Sequence, residues 1–146
     1  MREVVSQRLW IGNAVDARDV SRLYELEIAA VVDLAIEELP AQLGRDMIYC
    51  RFPLYDGAGN PTWLLRAAID TAGHFLRESV NTLVACSGGM SRSPAIVAAV
   101  LASERRASPD DCLLEIVADQ PHDVSPLLWQ DVKQALLTSA PPTESP

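Results

Sequence analysis

The sequence predicts an α/β fold with a mostly parallel central sheet and helices on both faces. Three observations carry that prediction. Strand-like apolar runs alternate along the chain with segments of helical spacing. The run Thr82–Ala85 leads through a loop with two glycines straight into a helix. That helix is apolar nearly all round from Ala95 to Leu101, the pattern of an element buried at the centre of a fold.

The elements follow in order. Val4–Val5 and Leu9–Ile11 read as short strands. Val20, Leu23 and Tyr24 fall at helical spacing ahead of the apolar run from Ile28 to Leu34, giving strand, helix, strand. Across residues 47–54, Ile48, Cys50 and Phe52 share one face, as in a half-buried strand. Asn60 and Pro61 are expected as N-cap and first residue of a helix reaching about Arg77, with Leu65, Ala68, Ile69, Ala72 and Leu76 as its apolar stripe. After the strand Thr82–Ala85 comes the central helix, from about Ser93 to Glu104. Ser108-Pro109-Asp110-Asp111 starts a further helix with Leu113, Ile116 and Val117 inward, and Ser125-Pro126 starts the last, with Leu128, Val132, Ala135 and Leu136 inward. One domain over residues 1–139 and a polar, proline-rich tail over 140–146, expected to be disordered, complete the organisation.

Composition narrows the function classes. A chain of 146 residues buries a sizeable core and is short for two domains. A net charge of −8 and a pI near 4.6 argue against nucleic acid or an anionic membrane as main partner, since both need an accumulated basic surface. The basic residues are scattered without a run, and no stretch is long and apolar enough to span a membrane. The N-terminal segment lacks the apolar core of a signal peptide. Three cysteines at irregular spacing make no disulfide framework, so a reducing cytoplasm is the expected compartment. Two histidines and separated cysteines supply no metal-ligand spacing, and neither metal nor cofactor is expected.

Residues 82–94 carry the chemistry. Cys86 ends the apolar strand, Arg92 stands six positions later, and only Ser87, Gly88, Gly89, Met90 and Ser91 lie between them. Glycines permit a tight loop, and Pro94 suits the first turn of a helix beginning near Arg92. Such a loop turns successive amides toward one centre, where the helix dipole adds positive potential; an anion is held and Cys86 is biased toward thiolate. Arg92 adds a planar fork for two phosphate oxygens. A Walker loop needs a lysine here, and none is present. A lone cysteine ending a strand is ordinarily a small buried hydrophobe, but Gly88, Gly89 and Arg92 at these spacings serve no purpose in a plain strand-to-helix turn.

This C-x5-R loop resembles the signature of the protein tyrosine phosphatase superfamily, and Ser91-Arg92-Ser93-Pro94 with the alanine and valine helix behind it looks most like the dual-specificity branch. The resemblance extends to Leu9–Asn13 with Asp16-Ala17, to Val31–Leu34, to Pro53–Asp56 and to Val124–Pro126. It implies cofactor-free hydrolysis of phosphate monoesters. Cys86 would form a cysteinyl-phosphate, with Arg92 and the amides of Ser87 to Ser91 holding the phosphoryl oxygens, and Ser93 would donate to the departing sulfur. Ser91 would brace the loop. Asp56, on a glycine-bearing loop 30 residues before Cys86, would protonate the leaving group and then deprotonate water, which implies an acidic pH optimum. An ordinary Asp-Gly turn is the alternative at that position. Asn60 could position that water, although capping explains it better. Asp33 could brace the loop or cap a turn. Cys50 could pair with Cys86 under oxidation, with core packing the better account.

One departure stands out: Ala85 occupies the position before the nucleophile that the family fills with histidine. It keeps open a phosphate-binding pseudophosphatase, and a rhodanese-like sulfurtransferase is a second alternative. The expected substrate is a phosphorylated protein, with a small phosphorylated molecule as the other possibility. Oligomeric state is not legible.

Overall fold

The structure, a computed structural model, describes residues 1–138. The expected tail 140–146 lies outside the described residues. The chain runs β1 (Arg2–Val5), β2 (Leu9–Gly12), α1 (Ala14–Arg18), α2 (Val20–Glu25), β3 (Ala30–Ala35), β4 (Ile48–Leu54), α3 (Thr62–Arg77), β5 (Thr82–Ala85), α4 (Arg92–Arg105), α5 (Pro109–Val117) and α6 (Pro126–Leu137). The five strands lie in the order β1-β2-β5-β3-β4, and β1 alone is antiparallel to its neighbour. The predicted α/β class with a mostly parallel sheet is the fold observed.

Period-two alternation divides the core between two faces. Leu9, Ile11, Val32, Leu34, Val84 and Cys86 contribute to a large apolar cluster with α3, α4, α5 and α6. Trp10, Val31, Leu83 and Ala85 turn the other way, toward Ala17 of α1, Leu23 of α2 and Ile28. β5 has neighbours on both edges, so it is buried throughout and reads as a continuous apolar run. α4 is buried from Arg92 to Ala102 because it packs against β5 and is flanked by α3, α5 and α6. Its alanines at 95, 98, 99 and 102 let these neighbours approach closely.

Capping explains most helix starts. The Asn13 side chain accepts the amide of Asp16 and the Asp16 carboxylate accepts that of Asn13, a reciprocal pair that opens α1. Ser108 and Ser125 accept the amides of Asp111 and Leu128, each followed by a proline in the first turn. The start of α3 corrects the sequence expectation. Pro61, not Asn60, is the N-cap, and no side chain caps this helix. Asn60 folds back onto the preceding loop, because its amide group offers both the acceptor and the donors that the Tyr55 backbone needs. Cys112 and Trp129 are buried on the inward faces of α5 and α6, where Leu113 and Leu136 are only half-buried.

Ile96 of α4 is fully buried between the sheet and its helix partners. Ile96→Ala should lower the unfolding free energy by about 2–5 kcal/mol, read from the midpoint of urea denaturation. A loss below about 0.5 kcal/mol would show that α4 is not the packed centre of the fold.

Candidate active site

The loop 86–91 leaves the carboxyl end of β5 and enters α4, the place where open parallel sheets present ligands. Its backing is backbone. Cys86 donates its amide to Gly12 at 3.3 Å and Ala14 donates to the Ser87 carbonyl at 3.1 Å. Gly89 adopts φ +74°, and a Cβ there would stand 3.0 Å from the Gly12 carbonyl oxygen, so this position needs glycine for both conformation and space.

The Cys86 thiol is 2% exposed and accepts the amides of Gly89 at 3.2 Å and Ser93 at 3.4 Å. It sits below a cavity of about 90 Å³ lined by the loop together with Asp56, Arg92 and Asp123. Ser93 reaches the sulfur through its amide rather than its hydroxyl; the hydroxyl is buried and has no hydrogen-bond partner.

Arg92 is 3% exposed, and a charge that deep needs partners. Glu37 supplies them, accepting from Nη1 at 2.5 Å and from Nη2 at 2.8 Å, and the Leu54 carbonyl accepts a further Nη1 hydrogen at 2.9 Å. Burial works against the guanidinium charge, but the hydrogen bond and charge of Glu37, with Cys86 and Asp56 adding to them, hold its pKa above the ordinary value. The same hydrogen bond from Arg92 holds Glu37 below its ordinary range despite partial desolvation. Three of the five N–H donors are thereby used. Nε has no partner, and in a planar guanidinium Nε–H and the remaining Nη2–H lie side by side on one edge. That free edge is a bidentate anion site beside the thiol.

Ser91 joins three loops. Its hydroxyl donates to Asp56 at 2.5 Å and accepts the Ser125 amide at 3.0 Å. The loop carrying Asp56 is closed by Asn60, which accepts from the Tyr55 amide and donates to the carbonyls of Tyr55 and Gly57. Asp56 is itself exposed at the cavity mouth. The structure thus brings Cys86, Arg92, Asp56, Ser91 and the loop glycines together as expected from the sequence.

Sequence reading missed Glu37, Glu38 and Asp123. Glu38 accepts from the Ser87 hydroxyl at 3.1 Å. The loop bearing these two glutamates is pinned from β4, where Arg51 donates to the carbonyls of Ala35, Ile36 and Glu38, and Tyr49 accepts the Ala41 amide. Asp33 serves this same brace: it accepts from the Tyr49 hydroxyl at 2.5 Å and from the Ala35 amide, and among the described residues it forms no hydrogen bond to the loop 86–91. Cys50 aligns with Val32, and Val32 with Val84, so it stands two strands over and two residues back from Cys86. Strand spacing makes that separation roughly 12 Å, beyond disulfide reach without backbone movement. Among the described residues no set of three or more His, Cys, Asp or Glu side chains is grouped as metal ligands would be.

A buried thiol under converging amides and a half-free guanidinium, at the switch between central strand and central helix, is the arrangement that the resemblance to cysteine-based phosphatases implies. Comparison with known proteins agrees, although no family model matches the chain. The chain is similar to human dual specificity protein phosphatase 15, with 30% identity over 125 residues, 83% of this chain and 41% of the relative. The mouse protein of that name matches at 28% over 137 residues, 91% of this chain and 48% of the relative. The chain therefore spans about half the length of the curated relatives it matches. Among solved structures, DUSP15 superposes with a TM-score of 0.78 at 26% identity, covering 95% of this chain and 88% of that one. Human DUSP28 gives 0.77 at 21%, covering 88% and 91%, and the human tyrosine phosphatase-like serine/threonine/tyrosine-interacting protein gives 0.78 at 16%, covering 92% and 93%. The likeness to the DUSP15 proteins supports placement in the dual-specificity branch of the protein tyrosine phosphatase superfamily, and the structures under 25% identical share its fold.

Two predictions follow from the supports of the loop. Glu37 titrates low in the folded chain, so its pairing with Arg92 stabilises the fold above the ordinary carboxylate range of about 4.3 and is lost as pH falls through the depressed value. The melting temperature of Glu37→Gln should lie below that of the parent at neutral pH, and the gap should narrow in acid. A gap that is constant with pH would assign the effect to packing.

Ala85 is fully buried, with Gly12 and Asp33 as its cross-strand neighbours, and the Asp33 carboxylate is already engaged by Tyr49 and Ala35. Ala85→His should therefore destabilise by about 1–3 kcal/mol in urea denaturation, through overpacking and an unpartnered imidazole. A variant as stable as the parent would show that the site retains room for the ring.

Proposed function

We propose that the chain hydrolyses phosphate monoesters through a cysteinyl-phosphate. The observation that carries this reading is the free Nε–Nη2 edge of Arg92, buried and unpartnered beside a thiol that already accepts two amides. In the first step the Cys86 thiolate forms an S–P bond as the P–O bond to the leaving group breaks, and Asp56 gives its proton to that oxygen. Arg92 and the loop amides hold the three non-bridging oxygens throughout, which stabilises the charge of the transition state. Ser91, bonded to one Asp56 oxygen, leaves the other to carry the proton. In the second step water forms an O–P bond, its proton returns to Asp56, the S–P bond breaks and inorganic phosphate leaves. The unpartnered hydroxyl of Ser93 is available to donate to the sulfur as it departs. The substrate class implied is a phosphorylated protein or a small phosphate ester.

A pseudophosphatase is the second reading, favoured by Ala85 in place of the family histidine. Turnover of an aryl phosphate, with thiosulfate as the control for sulfur transfer, separates these readings. The parent should release phosphate. Cys86→Ser should abolish turnover yet still bind oxyanions, and Arg92→Lys should be severely impaired because an ammonium cannot form the bidentate contact. Asp56→Asn should slow phenyl esters at least tenfold more than esters with good leaving groups. Equal slowing across the series would reduce Asp56 to a turn residue, and a parent that binds phosphate without turnover would establish the pseudophosphatase.

A further inference from the structure

The cavity above Cys86 is small and its rim is acidic. At about 90 Å³ it admits a phosphoryl group and little else, so the remainder of any substrate lies across the rim. Two of its lining side chains are carboxylates, Asp56 and Asp123, and Glu37 is half-exposed behind Arg92. Asp123 is exposed and held in place by its backbone: its amide donates to the Met90 carbonyl at 2.9 Å, and two residues on the Ser125 amide donates to Ser91. Its carboxylate forms no ion pair among the described residues.

Among the described residues, the lining of this cavity offers no outward-facing cation. Among the described residues lining the cavity, Arg92 alone is basic; it is buried, two of its nitrogens are held by Glu37, and its Nε is left without a partner. Arg2 lines a separate cavity across Gly88 and Gly89, which it shares with Asp16. The cradle therefore attracts one anion at its floor while its rim repels others. Met90, 42% exposed, lines the cavity, and Tyr55, 57% exposed, precedes Asp56 in the chain; both add exposed apolar surface suited to a chain laid over the opening.

We infer that the substrate is a phosphorylated polypeptide segment with arginine or lysine beside the phosphorylated residue, and that Asp123 is the side chain selecting it. This rests on the hydrolase reading above and adds its substrate class. A flanking cation meets Asp123 and the rim; a flanking carboxylate, or a second phosphate as in an inositol phospholipid headgroup, meets like charge at close range in a protein of net charge −8.

Three phosphotyrosine peptides differing only at the two flanking positions, with arginine, alanine or glutamate, test it against the full chain, with an aryl phosphate as the measure of intrinsic turnover. The expected order in kcat/KM is arginine, alanine, glutamate, with a span of roughly tenfold at low salt that shrinks as salt screens the rim. Asp123→Asn should compress the arginine-to-glutamate ratio about threefold, and Asp123→Lys should invert the order. Equal rates for the three peptides, a preference for glutamate, or a ratio indifferent to both salt and Asp123→Asn would overturn the inference. Absence of aryl phosphate turnover would instead overturn the hydrolase reading. The peptides are then compared by dissociation constant, using fluorescence anisotropy on the parent chain; the expected order of affinity is again arginine, alanine, glutamate, and equal affinities or a reversed order would overturn the inference.

Discussion

The burial of Arg92 is the constraint on which the rest of the site depends. An isolated guanidinium at that depth would destabilise the fold by several kcal/mol, and the protein offsets this with a bidentate carboxylate and a backbone carbonyl. Both partners come from the carboxyl side of the sheet: Glu37 from just beyond β3 and Leu54 from the last residue of β4. Holding the guanidinium from that side leaves its other edge free and fixes the direction in which that edge points. The ion pair thus orients as well as neutralises.

The geometry around the thiol is set by close backbone packing. α4 is rich in alanine and buried from Arg92 to Ala102, so its first turn is packed against the carboxyl end of β5, where the Ser93 amide meets Sγ. On the opposite side of the loop, Gly89 lies against the Gly12 carbonyl with no room for a side chain. Small residues at these places convert the packing of the core into placement of individual amides.

Support for the loop comes from outside position 85. The methyl group packs into the smaller apolar cluster, and a polar brace lies one strand away, where Asp33, Tyr49 and Arg51 order the loop carrying Glu37 and Glu38. Glu37 then anchors Arg92 and Glu38 anchors Ser87, so both ends of the cradle are tied to one well-fixed segment. Ser91 ties the cradle to the Asp56 loop and to the start of α6. Three loops of distant sequence are joined through hydroxyl and carboxylate contacts.

The sequence by itself determined the elements and the core of the site. The pattern of apolar residues located all five strands and the four longest helices, since period two and period 3.6 are local properties. Cys86, Gly88, Gly89 and Arg92 were legible because their spacing is local too. Where reading failed, the cause was an alternative partner at short range: Asn60 beside Pro61 looks like a cap, yet its amide group is better satisfied by the Tyr55 backbone. Only the tertiary structure decided that Glu37 pairs with Arg92, Glu38 with Ser87 and Ser91 with Asp56 and Ser125, contacts that join residues 34 to 55 positions apart. Asp123 reaches the cavity for the same reason. Glutamates after a strand look like ordinary solvated residues until the strand order β5-β3-β4 brings their loop to the end of the sheet where a buried cation needs a partner, and Asp123 looks like one until its amide meets the Met90 carbonyl.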